Sequence, residues 1–442
     1  MSTSLAAHPE EYLPRDTADV VRTVRDSRPR QLTVRGGERG GDHATEHGIR
    51  QGVDRRASRD DQPRLPDRRI VLSLRRMNRV QAVDAEARLV RVQAGARLSE
   101  IDRTLAAHRL GLPIVGDHRE ITAGGFAAVG GLSTASHRYG MFSDNVISIE
   151  YVDPEGRFGT CGRTHHADRF HRILGGAGRT GIIAALTLQA VEVDKDHTWL
   201  TSDAHRFLDF DGFAEHSLAA IERPGDAMLQ VGRWVDTAPL RVSRPVGTGN
   251  IQLGTVRFGQ WSSLHPTAAT PSLRARRELG TRARKSLGAI ASAAGGRAGM
   301  PVRNAAAGAL MFSPRVLTLR DAEYLADTVI NSSERGPAYR VSVFAPLSTY
   351  PSVFHRLHDL FSAYRERDDC FTVISALTYG VRSPRLHDIS GEDHGFISFT
   401  CRMRPVGAYP SRSGTTEALR QVTAAVEDIC RSEQAIRYDS AE

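Results

Sequence analysis

Three glycine-dense stretches in the first 181 residues constrain this chain more than any other feature: Arg35 to Asp42 (RGGERGGD), Gly124 to Gly140, and Gly175 to Gly181 (GGAGRTG). The first follows the β-prone run Leu32-Thr33-Val34, and the third precedes the branched run that begins at Ile182. The second lies inside an irregular stretch, GLPIVGDHREITAGGFAAVGGLSTASHRYGMFSDN, over 111–145. Long irregular loops inside compact domains are uncommon and usually functional. Without a Cβ, consecutive backbone N–H groups can turn inward and form an anion-binding concavity. One such stretch is an ordinary turn in a chain with 40 glycines; three at strand ends in one region point to a pyrophosphate. Arg35 and Arg39 flank the first and can offset its charge.

Two common nucleotide motifs fail on detail. Residues 176–181 spell GxGxxG, but Ile182 to Leu188 then reads as a strand where a dinucleotide fingerprint needs a helix, and no acidic residue sits about 20 positions on in an αβ context. A GxxxxGK[ST] phosphate loop does not occur.

Periodicity supplies the frame. Asp16 or Thr17 caps a helix that places Val20, Val21 and Val24 on one face, and Ile70 to Leu74 and Leu89 to Val92 read as strands. Leu98, Ile101, Leu105 and Ala106 mark an amphipathic helix, and Val146 to Val152 with Phe158 to Cys161 a hairpin around Asp153-Pro154-Glu155-Gly156. Residues 50–68 are charged and aperiodic, a loop signature. Composition changes near Asp194, and beyond it the spacing predicts helices over 211–222, 272–294, 351–363 and around Leu419 to Ile429. Strands are predicted near 227–235, 249–258, 339–345, 371–377 and 395–403.

A chain of 442 residues exceeds one core, and its net charge of +8 invites a nucleic-acid or anionic-surface reading. Yet nearly all the basic residues are arginine, with only Lys195 and Lys285 as lysines, and they form no single tract. A basic surface binder is therefore the rival class, with 50–69 and Arg274 to Lys285 as its best segments, and an anionic cofactor is the simpler account. Cys161, Cys370, Cys401 and Cys430 are far apart, with neither metal nor disulfide spacing. No apolar run approaches the roughly 20 residues of a membrane span, and no secretory leader is visible, so a cytoplasmic setting is expected.

Taken in order, these pieces resemble the FAD-linked oxidases of the vanillyl-alcohol oxidase / p-cresol methylhydroxylase type, well over 12–193 and loosely beyond. Pro14 to Val24, Leu32 to Asp42, Ile70 to Asn78, Val90 to Leu98, Thr122 to Gly125, Gly140 with Asp144-Asn145-Val146, and Phe170 to Ile183 follow the family's order. The resemblance implies an α+β, two-domain FAD-binding PCMH-type fold. It divides into an FAD-binding domain over 12–194, a substrate-binding domain on an antiparallel sheet over 195–430, and a short return towards the FAD domain over 431–442. It implies FAD contacts at Arg35, Gly36, Gly37, Arg39, Gly40, Gly41, Asp42, His43, Thr122, Gly124, Gly125, Gly130, Ser133, Gly140, Gly178, Gly181, Ile182 and Ile183.

The loop Arg35 to Ala44 is similar to that of decaprenylphosphoryl-ribose and aldonolactone oxidases, one residue shorter; Arg138-Tyr139-Gly140 with Asp144-Asn145-Val146 is closer to cytokinin dehydrogenases. Where relatives carry a flavin-linking histidine this chain has Arg39 and Gly40, so non-covalent FAD is expected, with His43 as the other attachment site. The absence of cysteine from 111–145 excludes double linkage. Ala435 to Ser440 resembles the family's closing segment, with Tyr438 where a lysine is expected, and the chain ends at Glu442.

FAD carries the redox chemistry, so the protein must orient a C–H bond and accept a proton. Candidate bases are His137, Tyr139, Asp144 and Tyr438, with Glu150 behind them; Asp144 equally suits a turn cap, Glu150 an ion pair and His137 a structural hydrogen bond. Trp234, Trp261, Phe344, Tyr379 and Phe399 either line an apolar pocket or pack a core. The expected function is oxidation of a CH–OH group on a sugar or small alcohol with hydride passing to flavin N5. The alternatives are a cytokinin-like CH–NH dehydrogenase and a redox-neutral flavoprotein cyclase or isomerase. A small-molecule substrate is expected, without nucleic acid, a membrane span or a metal.

Overall fold

In the computed structural model the Asp16 carboxylate accepts the amide of Asp19 at 2.9 Å, capping the helix Thr17–Asp26. Its Val20 and Val24 are buried. Residues 10–27, 32–36, 70–237, 240–243, 250–253, 257–279, 282, 316–324, 338–368, 371–385, 391–403 and 412–438 are described. Gly37, Arg39, Gly40, Gly41, Asp42 and His43 of the first glycine stretch thus lie outside the described residues, as do the 50–68 loop and most of the 272–294 stretch.

Strands β1 (Glu10–Tyr12), β2 (Leu32–Arg35) and β3 (Ile70–Ser73) form a parallel sheet with β3 central. β4 (Val80–Asp84) and β5 (Leu89–Gln93) follow, then the short β6 (Leu110–Gly111), β7 (Val146–Val152), β8 (Phe158–Gly162), β9 (Ile182–Gln189) and the short β10 (Val191–Glu192). Five of these make an antiparallel sheet in the order β4-β5-β9-β7-β8, and β10 pairs with β6. The hairpin read from 146–161 is β7 paired with β8, Ile149 opposite Cys161. The core beneath is apolar: Val90, Val92, Val146, Ile149, Leu186 and Leu188 are almost entirely buried against the Leu98–Ala106 helix and its neighbours.

Within the 111–145 stretch the spacing gave no helix, yet Ala123–Ala128 is helical despite two glycines. Close approach explains it: a Cβ on Gly124 would stand 2.6 Å from the Ala94 Cβ and 3.0 Å from the Ala94 carbonyl oxygen, which accepts the Gly124 amide at 2.7 Å. Packing that tight against the end of β5 outweighs a propensity penalty of about 1 kcal/mol per glycine.

The later chain builds a second, larger sheet. β11 (Trp199–Phe207), β12 (Leu229–Thr237), the hairpin β13 (Leu240–Ser243) and β14 (Asn250–Leu253), β15 (Arg257–Thr267), β16 (Val316–Thr318), β17 (Ala338–Pro346), β18 (Phe371–Val381), β19 (His394–Met403) and β20 (Ile436–Arg437) follow in sequence. Eight of them form one antiparallel sheet ordered β16-β11-β15-β12-β18-β19-β17-β20. The helices Phe210–Glu222, Tyr350–Asp368 and Arg412–Ser432 cover one face. Trp234, Trp261 and Phe399 belong to that helix-covered core, whereas Phe344 and Tyr379 belong to a separate cluster with Met141, Val381 and Phe396 on the opposite face. The chain end, read as returning towards the FAD-binding residues, adds β20 to the edge of the eight-stranded sheet beside β17 and brings the Tyr438 ring to the Met141 cluster. Among the described residues no helix is long and apolar enough to cross a membrane.

Candidate active site

Three glycine stretches separated in sequence meet around the Ala123–Ala128 helix. At its start Ala123 N donates to Ala96 O at 2.8 Å, and Arg97 bridges Thr122 in a single antiparallel pair. At its end Gly175 N donates to Ala127 O at 3.0 Å and Ala177 N to Ala128 O at 2.8 Å, docking the third stretch. The first arrives from β2: a Cβ on Gly36 would fall 2.1 Å from Thr122 Oγ1 and 3.5 Å from Gly125 N, so a side chain there would have to displace the Thr122 hydroxyl. Gly36, Thr122, Gly124, Gly125, Gly130 and Gly178 are thereby gathered around one short helix. Gly140 lies further on, against Asp144 and the Arg382 carbonyl. Arg35 is exposed beside this region at the end of β2.

The gathered residues have the character a pyrophosphate and flavin require. Among the described residues the exposed Gly125 amide donates to no protein acceptor, and Ser143 Oγ is buried without a hydrogen-bond partner. An unpaired hydroxyl enclosed in protein is costly unless a ligand completes it. Ser133 is spent locally instead, its Oγ accepting Ala135 N at 3.1 Å while its amide donates to Ser136 Oγ. Gly181, Ile182 and Ile183 lead into β9, where Ile182 and Ile183 are buried beside Val152 and Tyr151.

The middle stretch also joins the two large sheets. Gln230 N donates to Thr134 O at 2.8 Å, Arg382 N to Ser136 O at 3.0 Å, and Arg385 N to Asp144 Oδ1 at 3.2 Å. Residues 130–144 are thus clamped to the start of β12 and the end of β18, and Met141 enters the cluster of Phe344, Tyr379 and Phe396.

The four candidate bases differ sharply in their surroundings. His137, 8% exposed, is held between Thr134 O (Nδ1, 3.2 Å) and Ala227 O (Nε2, 2.9 Å). Burial pushes its pKa below the usual imidazole value, so the neutral ring donates one hydrogen and serves as a strut. Asp144 accepts Met141 N at 2.7 Å through Oδ2 while Oδ1 takes Arg385 N. Burial raises its pKa to about 6, against the opposing pull of those amides and of Arg385 and Arg163. Tyr139 is half-buried with Arg138 over its ring, and its carbonyl accepts Asn145 Nδ2. Tyr438 stands edge-on to Phe344 and Phe396, 5.5 and 5.8 Å between centroids, with its amide on Ser342 O at 2.8 Å. Glu150 is ion-paired with Arg91 on the five-stranded sheet.

Sequence inspection passed over Asp117, which acts electrostatically on both Arg233 and Tyr379 from the loop before Thr122. The one available signal was a charged residue, Arg233, within the alternating run LQVGRWVDT. Among the described residues no group of three or more His, Cys, Asp or Glu side chains is placed to hold a metal ion.

Comparison with known proteins agrees with this geometry. The model of a family described as an FAD binding domain matches residues 12–162. An uncharacterized oxidoreductase of the fasciation locus of Rhodococcoides fascians is 30% identical over 120 residues, 27% of this chain and 27% of its own length. Cytokinin dehydrogenase 3 of Arabidopsis thaliana is 28% identical over 174 residues, 38% of this chain and 33% of its own. Decaprenylphosphoryl-beta-D-ribose oxidase of Mycolicibacterium smegmatis is 27% identical over 141 residues, 32% of this chain and 31% of its own. The chain thus matches about a third or less of the length of these relatives. FAD is the cofactor of the matched domain, and over that part the chain is similar to the FAD-linked oxidases of the vanillyl-alcohol oxidase / p-cresol methylhydroxylase type.

Proposed function

We propose that this protein is an FAD-dependent oxidoreductase that oxidises a CH–OH group of a small hydroxylated substrate. Residues 12–194 would form the FAD-binding domain, 195–430 the substrate domain and 431–442 a closing segment. The observation that carries this reading is the clamp of residues 130–144 onto β12 and β18, because it sets the glycine loops beside one face of the eight-stranded sheet. The other face is already filled by helices.

Gly36, Thr122, Gly124, Gly125, Gly130 and Gly178 would hold the cofactor through backbone approach and N–H donors, with Arg35 and the remaining residues of the first loop offsetting charge. The attachment would be non-covalent. When bound, FAD supplies the two-electron acceptor. Tyr438 would take the proton of the substrate hydroxyl. It combines a titratable side chain with placement on the sheet face away from the helices, beside Phe344 and Phe396. Tyr379 and Phe396 would shed water from the reacting carbon.

The test is anaerobic mixing of the yellow protein with a panel of sugar alcohols, sugar acids and an N6-alkenyl adenine. Bleaching near 450 nm by a hydroxylated compound is expected. Bleaching by the adenine derivative alone would move the assignment to CH–NH oxidation, and substrate conversion with the flavin left oxidised would mean a redox-neutral reaction. Acid precipitation should leave the protein pellet white; a yellow pellet would mean covalent FAD.

A further inference from the structure

Arg233 is a charged side chain that, among the described residues, makes no hydrogen bond or ion pair. Along β12 side chains alternate between faces. Trp234 lies against Phe210 and Phe213 under the helices, and Asp236 is fully buried on that same side. Val231 and Arg233 therefore face the other way, and Val231 packs against the cluster that contains Met141, Tyr379 and Phe396. Directly opposite Arg233 in the antiparallel register stand Gln260 on β15 and Leu377 on β18, which share its face.

Two observations on this face point to a ligand. Protein surrounds the Arg233 guanidinium, while the residue as a whole is half-buried. Asp117 is the carboxylate that acts on it electrostatically. Gln260, 4% exposed, gives its Nε2 to Ser262 Oγ at 2.7 Å and keeps a buried Oε1 with no donor. A guanidinium short of acceptors and an amide oxygen short of a donor, on adjacent strands, are complementary to a molecule that carries both an anion and a hydroxyl. Guanidinium recognises planar anions through two parallel hydrogen bonds, and an unmet buried acceptor favours any ligand that brings a donor.

We propose that Arg233 and Gln260 form a recognition site for a carboxylate-bearing polyol, with the substrate carboxylate on Arg233 and a neighbouring hydroxyl donating to Gln260 Oε1. A carboxylate is favoured over a phosphate because Asp117 already offsets part of the single guanidinium charge, leaving support for one negative charge rather than two. The proposal rests on the reading of the protein as an oxidoreductase of hydroxylated substrates and narrows it to sugar acids. Arg233 and Gln260 choose and orient the substrate and carry no proton.

Equilibrium binding to the FAD-loaded protein tests it without requiring turnover. D-gluconate, D-glucitol and D-glucose 6-phosphate are titrated separately, with the flavin absorbance difference and the melting temperature as readouts. Gluconate should bind about tenfold or more tightly than glucitol, a difference of about 1.4 kcal/mol, and more tightly than the phosphate. Arg233→Gln should abolish the preference for gluconate over glucitol while keeping FAD absorbance, and Arg233→Lys should keep part of it. Gln260→Leu should weaken gluconate and glucitol alike, since both carry the hydroxyl. Equal binding of gluconate and glucitol, no saturable binding of gluconate, a preference for the phosphate, or a preference that survives in Arg233→Gln would each overturn the proposal. Should Arg233→Gln fail to retain FAD, the Arg233→Lys and wild-type titrations decide. Failure of the parent reading shows separately, as a flavin that no substrate bleaches.

Discussion

Lys195 Nζ lies 3.1 Å from Asp102 Oδ1, deep between the Leu98–Ala106 helix and the chain that enters the eight-stranded sheet. The same ammonium touches Glu323 at 2.9 Å and donates to Leu112 O at 2.8 Å, while Arg320 reaches Asp102 Oδ2 at 2.7 Å and Asp196 at 2.6 Å. Lys195 and Asp102 are almost wholly enclosed, so each charge depends on the others. Burial pushes Glu323 towards the protonated form, and the ammonium opposes it.

Lys195→Met should therefore strand the buried Glu323 carboxylate, leave Asp102 to Arg320 alone, and cost about 3–5 kcal/mol of stability. Adding Asp102→Asn and Glu323→Gln to Lys195→Met should recover part of the loss, because fewer uncompensated charges remain. Chemical denaturation of the two variants beside the wild type measures both effects.

Asp144 gives stability a definite pH dependence. Its pKa is raised from 3.8 to about 6, so between these values the folded protein holds a proton that the unfolded chain has lost. Stability contributed by this group is present below about pH 4 and declines as pH rises through about 6, by roughly 3 kcal/mol in all. Asp144→Asn should flatten that part of a melting-temperature profile between pH 4 and 7. An unchanged slope would show that the carboxyl is not held in its neutral form.

His137 bridges two backbone carbonyls, so its removal should be felt in stability rather than in proton transfer. His137→Phe should lower stability by about 1–3 kcal/mol and leave the pH profile of flavin reduction where it was. Loss of a titration step from that profile would give the imidazole a chemical role instead.

Gly36 admits no side chain against Thr122. Gly36→Val should force the two loops apart and lower FAD occupancy, read as the ratio of absorbance at 450 nm to 280 nm.

Much of the framework was legible along the chain. The 3.6-residue spacing of Val20 and Val24, the Asp-Pro-Glu-Gly turn and the alternation of β12 are local signals and appear where their spacing placed them, whereas the run near 249–258 divides between β14 and β15. The three glycine stretches were legible as loops that let something approach closely. Their convergence on the Ala123–Ala128 helix was not, because the contacts that create it, such as Gly36 with Thr122 and Gly175 with Ala127, span large separations in sequence.

The sequence by itself determined the element types, the phosphate-loop character and the FAD-linked family resemblance, since these depend on residue type and near-neighbour spacing. Only the tertiary structure separated the candidate bases, because partners decide what a titratable group does: His137 meets Ala227, ninety positions away, and Asp144 meets the Arg385 amide. It also changed the meaning of the two scarcest and commonest cations. Lys195 looked like one exception among surface arginines and is the centre of a buried ion cluster, while Arg233 looked like one arginine among many and stands directly across from the buried Gln260. Burial and charge pairing are long-range properties of the folded chain, and no local pattern encodes them.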